Sequence, residues 1–358
     1  MNSPEYLDMA ATTPVSTRVA DVVLNYMVTE FGNSGSRTHA WGTIAKKAVN
    51  AARSTIAAEF GCRSEEVVFT SGATESNNLA IFGLAKFAVE NKRMHIISSA
   101  TEHKAVLEPL KRMEQQGFEV ELIHPGRDGR INAADVAGRL RDDTLLVSIM
   151  HVNNETGIIN DISGIGELVS QSEAFLHVDA AQSFMKCERE ALRKNVDLVS
   201  FSGHKFGGPK GIGGLVVKRR GWSKIPLEPL ILGGGQERGL RGGTAPVALI
   251  AGMAEAVRER SEDFETWHTH SLEKGATLRK RMEAMGGELV GDLNFRSPNI
   301  ANFYFESRDS EALILELQPD MAIATGSACT SAEYTASHVL IGMGFSEKEA
   351  FSCVRLSW

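Results

Sequence analysis

Four short stretches carry side chains whose types and placement could do chemistry together. SFSGHKFGGPKG, residues 200–211, sets Lys205 beside His204 behind an apolar run, with glycines that let backbone approach a ligand. LHVDAAQ, residues 176–182, ends an apolar run on Asp179, where a carboxylate is costly unless it meets a cation or hydrogen-bond donors. FTSGATESNN, residues 69–78, reads as strand, glycine turn and helix. The first N–H groups of that helix, with the hydroxyls of Ser71 and Thr74, suit an anion. SATEHKAV places His103 just past another apolar run. Each stretch also has an ordinary reading: a solvated lysine, a helix cap at Asp179, a capping box in residues 71–77, a structural histidine.

One ligand requires all four. Pyridoxal phosphate (PLP) needs a lysine for its Schiff base and an acid facing its pyridine nitrogen. It also needs an anion cradle for its phosphate and a flat group on its ring. Lys205, Asp179, the Gly72-Ala73-Thr74 turn and His103 supply one each. The turn lacks the glycine spacing of a nucleotide loop, and a nicotinamide or phosphoryl-transfer site would leave Lys205 and Asp179 without a role.

The elements that must position these groups follow from periodicity. Apolar, β-branched runs at 67–70, 95–99, 118–123, 144–150, 175–181, 197–203 and 211–218 alternate with helical patterns. One helix is expected to begin near Glu75, and another to end at Gly117 as its C-cap. Such alternation predicts an α/β fold with a mostly parallel sheet covered on both faces, which binds ligands beyond the C-terminal strand ends. From about residue 250 the pattern changes to a long charged helix, a strand at 299–305 and a helix at 311–318, predicting a smaller α+β unit. The expected division is 14–250 for a large domain and 1–13 with 251–358 for a small one.

Bulk properties narrow the class. A chain of 358 residues exceeds what one core usually supports. A formal net charge of −7 argues against nucleic acid or an anionic membrane as a direct partner. The N-terminus has no signal-peptide form, no apolar run is long enough to span a bilayer, and the expectation is a cytoplasmic protein. Cys62, Cys187, Cys329 and Cys353 are scattered without a CxxC pair, against a disulfide framework or a zinc site and for no metal.

At the level of motifs the chain resembles the class V aminotransferase group of fold-type I PLP enzymes, and within it the cysteine desulfurases of the NifS/IscS type. LDMAATTP, FGNSGSRTH, FTSGATESNN, TEHKAV, MHVNNETG, HVDAAQ, SFSGHKFGGPKG, GGGQERGLRGGTAPV and TGSACTSA occur in family order, nearly end to end. The resemblance implies a PLP-dependent transferase fold with a seven-stranded sheet in its large domain. It implies that Lys205 holds PLP, Asp179 pairs with the pyridine nitrogen, Gln182 bonds the phenolic oxygen and His103 stacks on the ring. Ala73, Thr74, Ser202 and His204 would contact the phosphate, and Thr244 would reach the phosphate of a neighbouring subunit in a homodimer. Asn154, Arg37 and Arg355 would lie near the substrate amino acid, with Arg355 best suited to clamp a carboxylate. Ser34-Gly35 stands where many relatives carry a proline.

The activity implied is conversion of L-cysteine to L-alanine, with sulfur held as a persulfide on Cys329 and passed to an acceptor protein, an iron–sulfur scaffold or a phosphorothioation-pathway protein. The small residues of TGSACTSAEY, 325–334, are expected to form a mobile arm around Cys329. The end at VRLSW resembles the desulfurase branch that serves DNA phosphorothioation, the Dnd system. The alternatives are other class V enzymes, a selenocysteine lyase or a transaminase, and a non-catalytic sulfur-binding or assembly protein that has kept the fold.

Overall fold

The computed structural model describes residues 3–325 and 335–358. Among them are twelve strands: β1 Glu5–Tyr6, β2 Val67–Thr70, β3 His95–Ser99, β4 Glu119–Ile123, β5 Thr144–Ser148, β6 Phe175–Asp179, β7 Leu198–Ser202, β8 Gly213–Val217, β9 Gly287–Leu289, β10 Ile300–Phe305, β11 Met321–Ala322 and β12 Cys353–Ser357. Seven form the large sheet in the order β2-β8-β7-β6-β5-β3-β4. Its strands from β7 to β4 are all parallel. Only β8 runs against both its neighbours, so β2 points the same way as β7. The α/β fold with a mostly parallel seven-stranded sheet is therefore the observed one.

Alternate residues of these strands feed two cores, because successive side chains leave opposite faces of a strand. Val67, Phe69, Val199, Phe201 and Val216 join Ile56, Phe60 and Phe184 on one face. Val68, Leu198 and Leu215 meet Leu79, Ile81 and Leu110 on the other. With both faces covered, the strands tolerate unbroken apolar runs, which is why they were legible in the sequence. Two boundaries shift. The helix expected near Glu75 spans Ala73–Phe82 and starts directly after Gly72. The helix Lys104–Glu114 is capped by Gln115, and Gly117, at φ +91°, instead serves the turn into β4.

A second sheet, β12-β10-β9, is antiparallel, and β1 pairs with β11 in parallel. Phe303, Phe305, Val354 and Leu356 pack there with Leu313 and Leu317. The 38-residue helix Val247–Ala284 serves both regions: Ile250, Met253 and Val257 enter the large core, Leu278 and Met282 the smaller one.

Below the large sheet, Phe184 stacks on Phe60 at 4.4 Å between centroids and meets Phe206 edge-on at 5.2 Å. Phe184 lies two residues past Gln182, and Phe206 follows Lys205, so this cluster braces two of the turns that carry site residues. Phe184 is fully buried. Phe184→Ala is expected to cost about 3–5 kcal/mol, measured as a lower urea midpoint at unchanged m value.

Candidate active site

The C-terminal ends of β2, β3, β5, β6 and β7 gather at one edge of the large sheet, and the turns beyond them line a cavity of about 640 Å³. Of the residues expected from the sequence, Ala73, Thr74, His103, Asn154, Asp179, Gln182, Ser202, His204, Lys205 and Arg355 all line it.

Lys205 closes the single 3-10 turn Gly203–Lys205 after β7. That turn folds tightly: a Cβ on Gly208 would come within 2.9 Å of the Gly203 carbonyl. Lys205 Nζ donates to Ala10 O at 2.6 Å and Ala11 O at 2.9 Å. The N-terminal segment is laid over this turn by further bonds. Thr13 N donates to His204 O at 2.9 Å, Gly207 N to Thr13 Oγ1 at 2.8 Å, and His204 Nδ1 lies 3.2 Å from Thr12 Oγ1. Burial, reinforced by the charge of Lys205, brings the His204 pKa down to about 4, so its ring is neutral at pH 7.

Asp179 is the last residue of β6 and is buried. Its Oδ2 accepts from Asn77 Nδ2 at 2.7 Å and its Oδ1 from Ala181 N at 2.9 Å. The capping role open to an aspartate here is thus real, through Ala181, and leaves the second oxygen to a side-chain amide. Among the described residues Asp179 forms no salt bridge. Asn77 is itself fully buried, and its Oδ1 has no hydrogen-bond partner.

The turn before the helix Ala73–Phe82 depends on a glycine. Gly72 has φ +156°, and a Cβ there would stand 3.4 Å from Ser202 Oγ. Glu75 Oε2 accepts from Ser71 N at 2.8 Å, and Arg241 holds the other oxygen of Glu75 at 3.1 Å. Ala73 and Thr74, whose N–H groups a helix leaves without intrahelical acceptors, line the same cavity as Ser202 and His204.

His103 caps the helix Lys104–Glu114, its Nδ1 accepting from Ala105 N at 3.0 Å. Burial lowers its pKa against the pull of Asp179, and Lys205, His338 and Lys104 lower it further. A neutral ring that accepts at Nδ1 carries its proton on Nε2. His103 therefore starts as a donor, and takes up a proton at Nε2 only if the bond to Ala105 N is given up.

Arg355, on β12, is 1 % exposed. Its Nη2 meets Asp8 Oδ1 at 2.7 Å and its Nη1 donates to Asn154 O at 3.1 Å. Arg355 Nε and Asn154 Oδ1 are buried without partners. The guanidinium is thus fixed in place with donor capacity left over, as a carboxylate site requires.

Two expected residues lie elsewhere in this chain. Arg37 and Thr244 are exposed and do not line the cavity. Thr244 borders a separate cavity of about 210 Å³ with Gly35, Arg53 and Glu237. Arg53 binds Glu237 through both guanidinium nitrogens at 2.7 Å, and Phe69 N donates to Glu237 Oε2 at 2.9 Å, which pins the loop bearing Thr244 to β2. Cys329 falls in 326–334, outside the described residues. Burial raises the thiol pKa of Cys62 and Cys353 to about 12 and of Cys187 to about 11, which leaves all three protonated and unreactive at pH 7.

Sequence reasoning missed the carbonyls of Ala10 and Ala11, the amide of Asn77 and the carboxylate of Asp8. Asn77 had one signal: a polar residue in the helix directly after a phosphate-type turn. The carbonyls had none.

Residues 5–357 match the family described as Aminotransferase class-V. The chain is 46% identical over 364 residues to the cysteine desulfurase IscS of Escherichia coli O139:H28, spanning 100% of this chain and 88% of that one. It superposes on the crystal structure of DndA from Streptomyces lividans with a TM-score of 0.87 and 44% identity over 99% of both chains. A structure of SspA in complex with cysteine matches with a TM-score of 0.85 and 37% identity, over 99% of this chain and 98% of the other.

Proposed function

We infer that the chain, which belongs to the class-V aminotransferase family and within it to the cysteine desulfurases, converts L-cysteine to L-alanine and receives the sulfur on Cys329. The observation that carries this reading is the convergence of Lys205, Asp179, His103 and the N-terminus of the helix Ala73–Phe82 on one cavity, with Arg355 at its far wall. The residues fit PLP. Asp179 is a buried carboxylate that, among the described residues, accepts from two amides, ready for a pyridinium N–H, and Gly72 gives the turn before the helix a φ of +156° that other residues rarely adopt. Lys205 would hold the cofactor covalently, Asp179 its ring nitrogen, Gln182 its phenolic oxygen and His103 its ring face. Ala73, Thr74, Ser202 and His204 would take its phosphate. When bound, PLP supplies an electron sink for bond breaking at the substrate Cα.

The chain's own groups do the rest. Arg355 and Asn154 fix the substrate carboxylate, so that its Cα hydrogen faces Lys205. The Lys205 amine removes that proton and returns it as alanine forms. His103 handles a proton at Nε2 beside the substrate thiol. Cys329, as thiolate, attacks the substrate sulfur: the S–S bond forms as the C–S bond breaks, and its electron pair stays with the carbon fragment. A free thiol has a pKa of about 8.5, so nearby cations must favour the thiolate.

The same proposal includes a homodimer, the division into 14–250 and 1–13 with 251–358, and Arg37 as a substrate-side group. Thr244 would serve the partner's phosphate, in keeping with its exposed place here. Leu24, Met27, Val28 and Phe31 expose an apolar face of the kind a second copy covers, and Leu232 is 82% exposed. The acceptor of the sulfur is a protein, and the likeness to DndA over 99% of both chains supports the phosphorothioation branch. Among the described residues no helix is long and apolar enough to cross a membrane.

Incubation of the PLP-loaded protein with L-cysteine is expected to yield alanine, with one sulfur atom added to the tryptic peptide containing Cys329. Alanine without that mass gain would sink the persulfide route. Absence of alanine would sink the desulfurase reading itself.

A further inference from the structure

A second lysine stands behind the cavity wall. Lys186 is 3% exposed, and its Nζ donates to Gln182 Oε1 at 2.8 Å. Successive turns follow β6, with Phe184 N bonded to Ala180 O, Lys186 N and Cys187 N to Ser183 O, and Met185 at φ +62°, and they bring Lys186 back to Gln182. Gln182 Nε2 donates in turn to Ala10 O at 2.8 Å, the same carbonyl that receives Lys205 Nζ at 2.6 Å. A relay of three bonds thus joins Lys186 to Lys205 through Gln182 and Ala10.

A glutamine amide can sit either way round, and only its surroundings decide which edge faces a ligand. Here the decision is forced from behind. The ammonium form of lysine offers only donors and the Ala10 carbonyl only accepts, so together they turn the amide oxygen to Lys186 and the N–H₂ edge to Ala10 and the cavity. One N–H is used by Ala10 O, and the second remains for a ligand acceptor. We propose that Lys186 is a positioning residue, which fixes the Gln182 amide so that its N–H edge meets an anionic oxygen of the bound cofactor. The proposal rests on the PLP reading above.

The chemistry supports a role that survives at neutral pH. Burial brings the Lys186 pKa down to about 7, and the cations Lys205, Arg260 and Arg355 press in the same direction. Lys186 can donate to Gln182 as an ammonium or as an amine, and Ala10 O, which accepts in either state, keeps the amide the same way round through that titration. A lysine without an orienting duty would be an expensive group to bury: Gln182 Oε1 is its one hydrogen-bond acceptor among the described residues.

The test is the pH titration of the visible absorbance of the PLP-reconstituted enzyme, with circular dichroism melting on the same samples. Lys186→Met fills similar space without a donor. It is expected to move the titration midpoint upward by about 0.5–1 pH unit, the equivalent of one hydrogen bond to the anionic oxygen. Lys186→Gln can still donate to Gln182 and is expected to return the midpoint towards wild type. Gln182→Leu is expected to give the upward shift alone, and adding Lys186→Met to it should produce no further change. If Lys186→Met fails to fold, Lys186→Ala takes its place in the same comparison. A folded Lys186 variant without a donor that titrates as wild type overturns the positioning role, as does an additive effect in the Gln182→Leu background. Wild-type protein that shows no visible band with PLP overturns the cofactor reading instead, and the proposal falls with it.

Discussion

Lys205→Ala is expected to lower the rate of alanine formation from L-cysteine by at least about 10³-fold, while leaving the fold intact. The side chain reaches two carbonyls of the N-terminal segment, and its loss leaves Ala10 O still bonded to Gln182 Nε2. The Gly203–Lys205 turn keeps its backbone bonds, Gly203 N to Ile212 O and Phe206 N to Gly203 O. The melting temperature should therefore change little. On the proposed reading, what disappears is the amine that attaches a carbonyl compound and carries a proton at the substrate Cα. Lys210 also lines the cavity, and among the described residues its amine makes no hydrogen bond to the N-terminal segment that Lys205 reaches. Alanine quantified by chromatography reads the rate. Borohydride reduction of the PLP-loaded protein should tag the wild-type peptide containing residue 205 and leave the variant's peptide unmodified. A variant that kept a tenth of the wild-type rate would exclude Lys205 as the proton carrier.

The second large effect is expected from a substitution that changes one charge and almost no shape. Asp179→Asn should cost about 10²-fold or more in kcat, with the melting temperature held within a degree or two of wild type. The reason lies in Asn77. Its Nδ2 now donates to Asp179 Oδ2, and its Oδ1 is buried without a partner. If residue 179 becomes an amide, rotation of the Asn77 carboxamide presents that idle oxygen to the new N–H₂, while Ala181 N still finds an oxygen. The hydrogen-bond count is preserved, and only the negative charge facing the cavity is gone. Asp179→Ala, by contrast, strands the amides of Asn77 and Ala181, so it should lose stability as well as rate. Equal melting with unequal kcat in Asp179→Asn separates electrostatics from support. An Asn variant as active as wild type would remove Asp179 from the chemistry.

Much of this site could be read before any coordinates because its side chains sit where apolar runs stop. β2 and β3 coincide with the runs at 67–70 and 95–99, and β6 ends on Asp179 itself. Buried strands are largely apolar, and polar members such as Ser148, His177 and Ser200 bond to one another inside the sheet, so a charged residue where a run stops marks the sheet edge. The strand β12 escaped because its polar members are working ones. Arg355 serves the cavity and Ser357 Oγ accepts from Ala10 N at 2.8 Å, so CVRLS lacks a uniform apolar run. Backbone participants were beyond reach for a different reason. The bond from Lys205 to Ala10 spans 195 residues, and a carbonyl has no residue-type signature. Lys186 was equally silent, because a lysine inside AQSFMKCE reads as an exposed charge until its burial is seen. Arg37 and Thr244 were legible only through family resemblance, and a single chain leaves both on the surface.

The position of Thr244 has a further consequence. In the proposed pairing each protomer lends its neighbour a contact to the cofactor phosphate, and the Arg53–Glu237 pair keeps the lending loop rigid. Ligand retention and self-association are then one linked equilibrium. Dilution that separates the protomers would loosen PLP, and saturating PLP would hold the protomers together, each by the same factor.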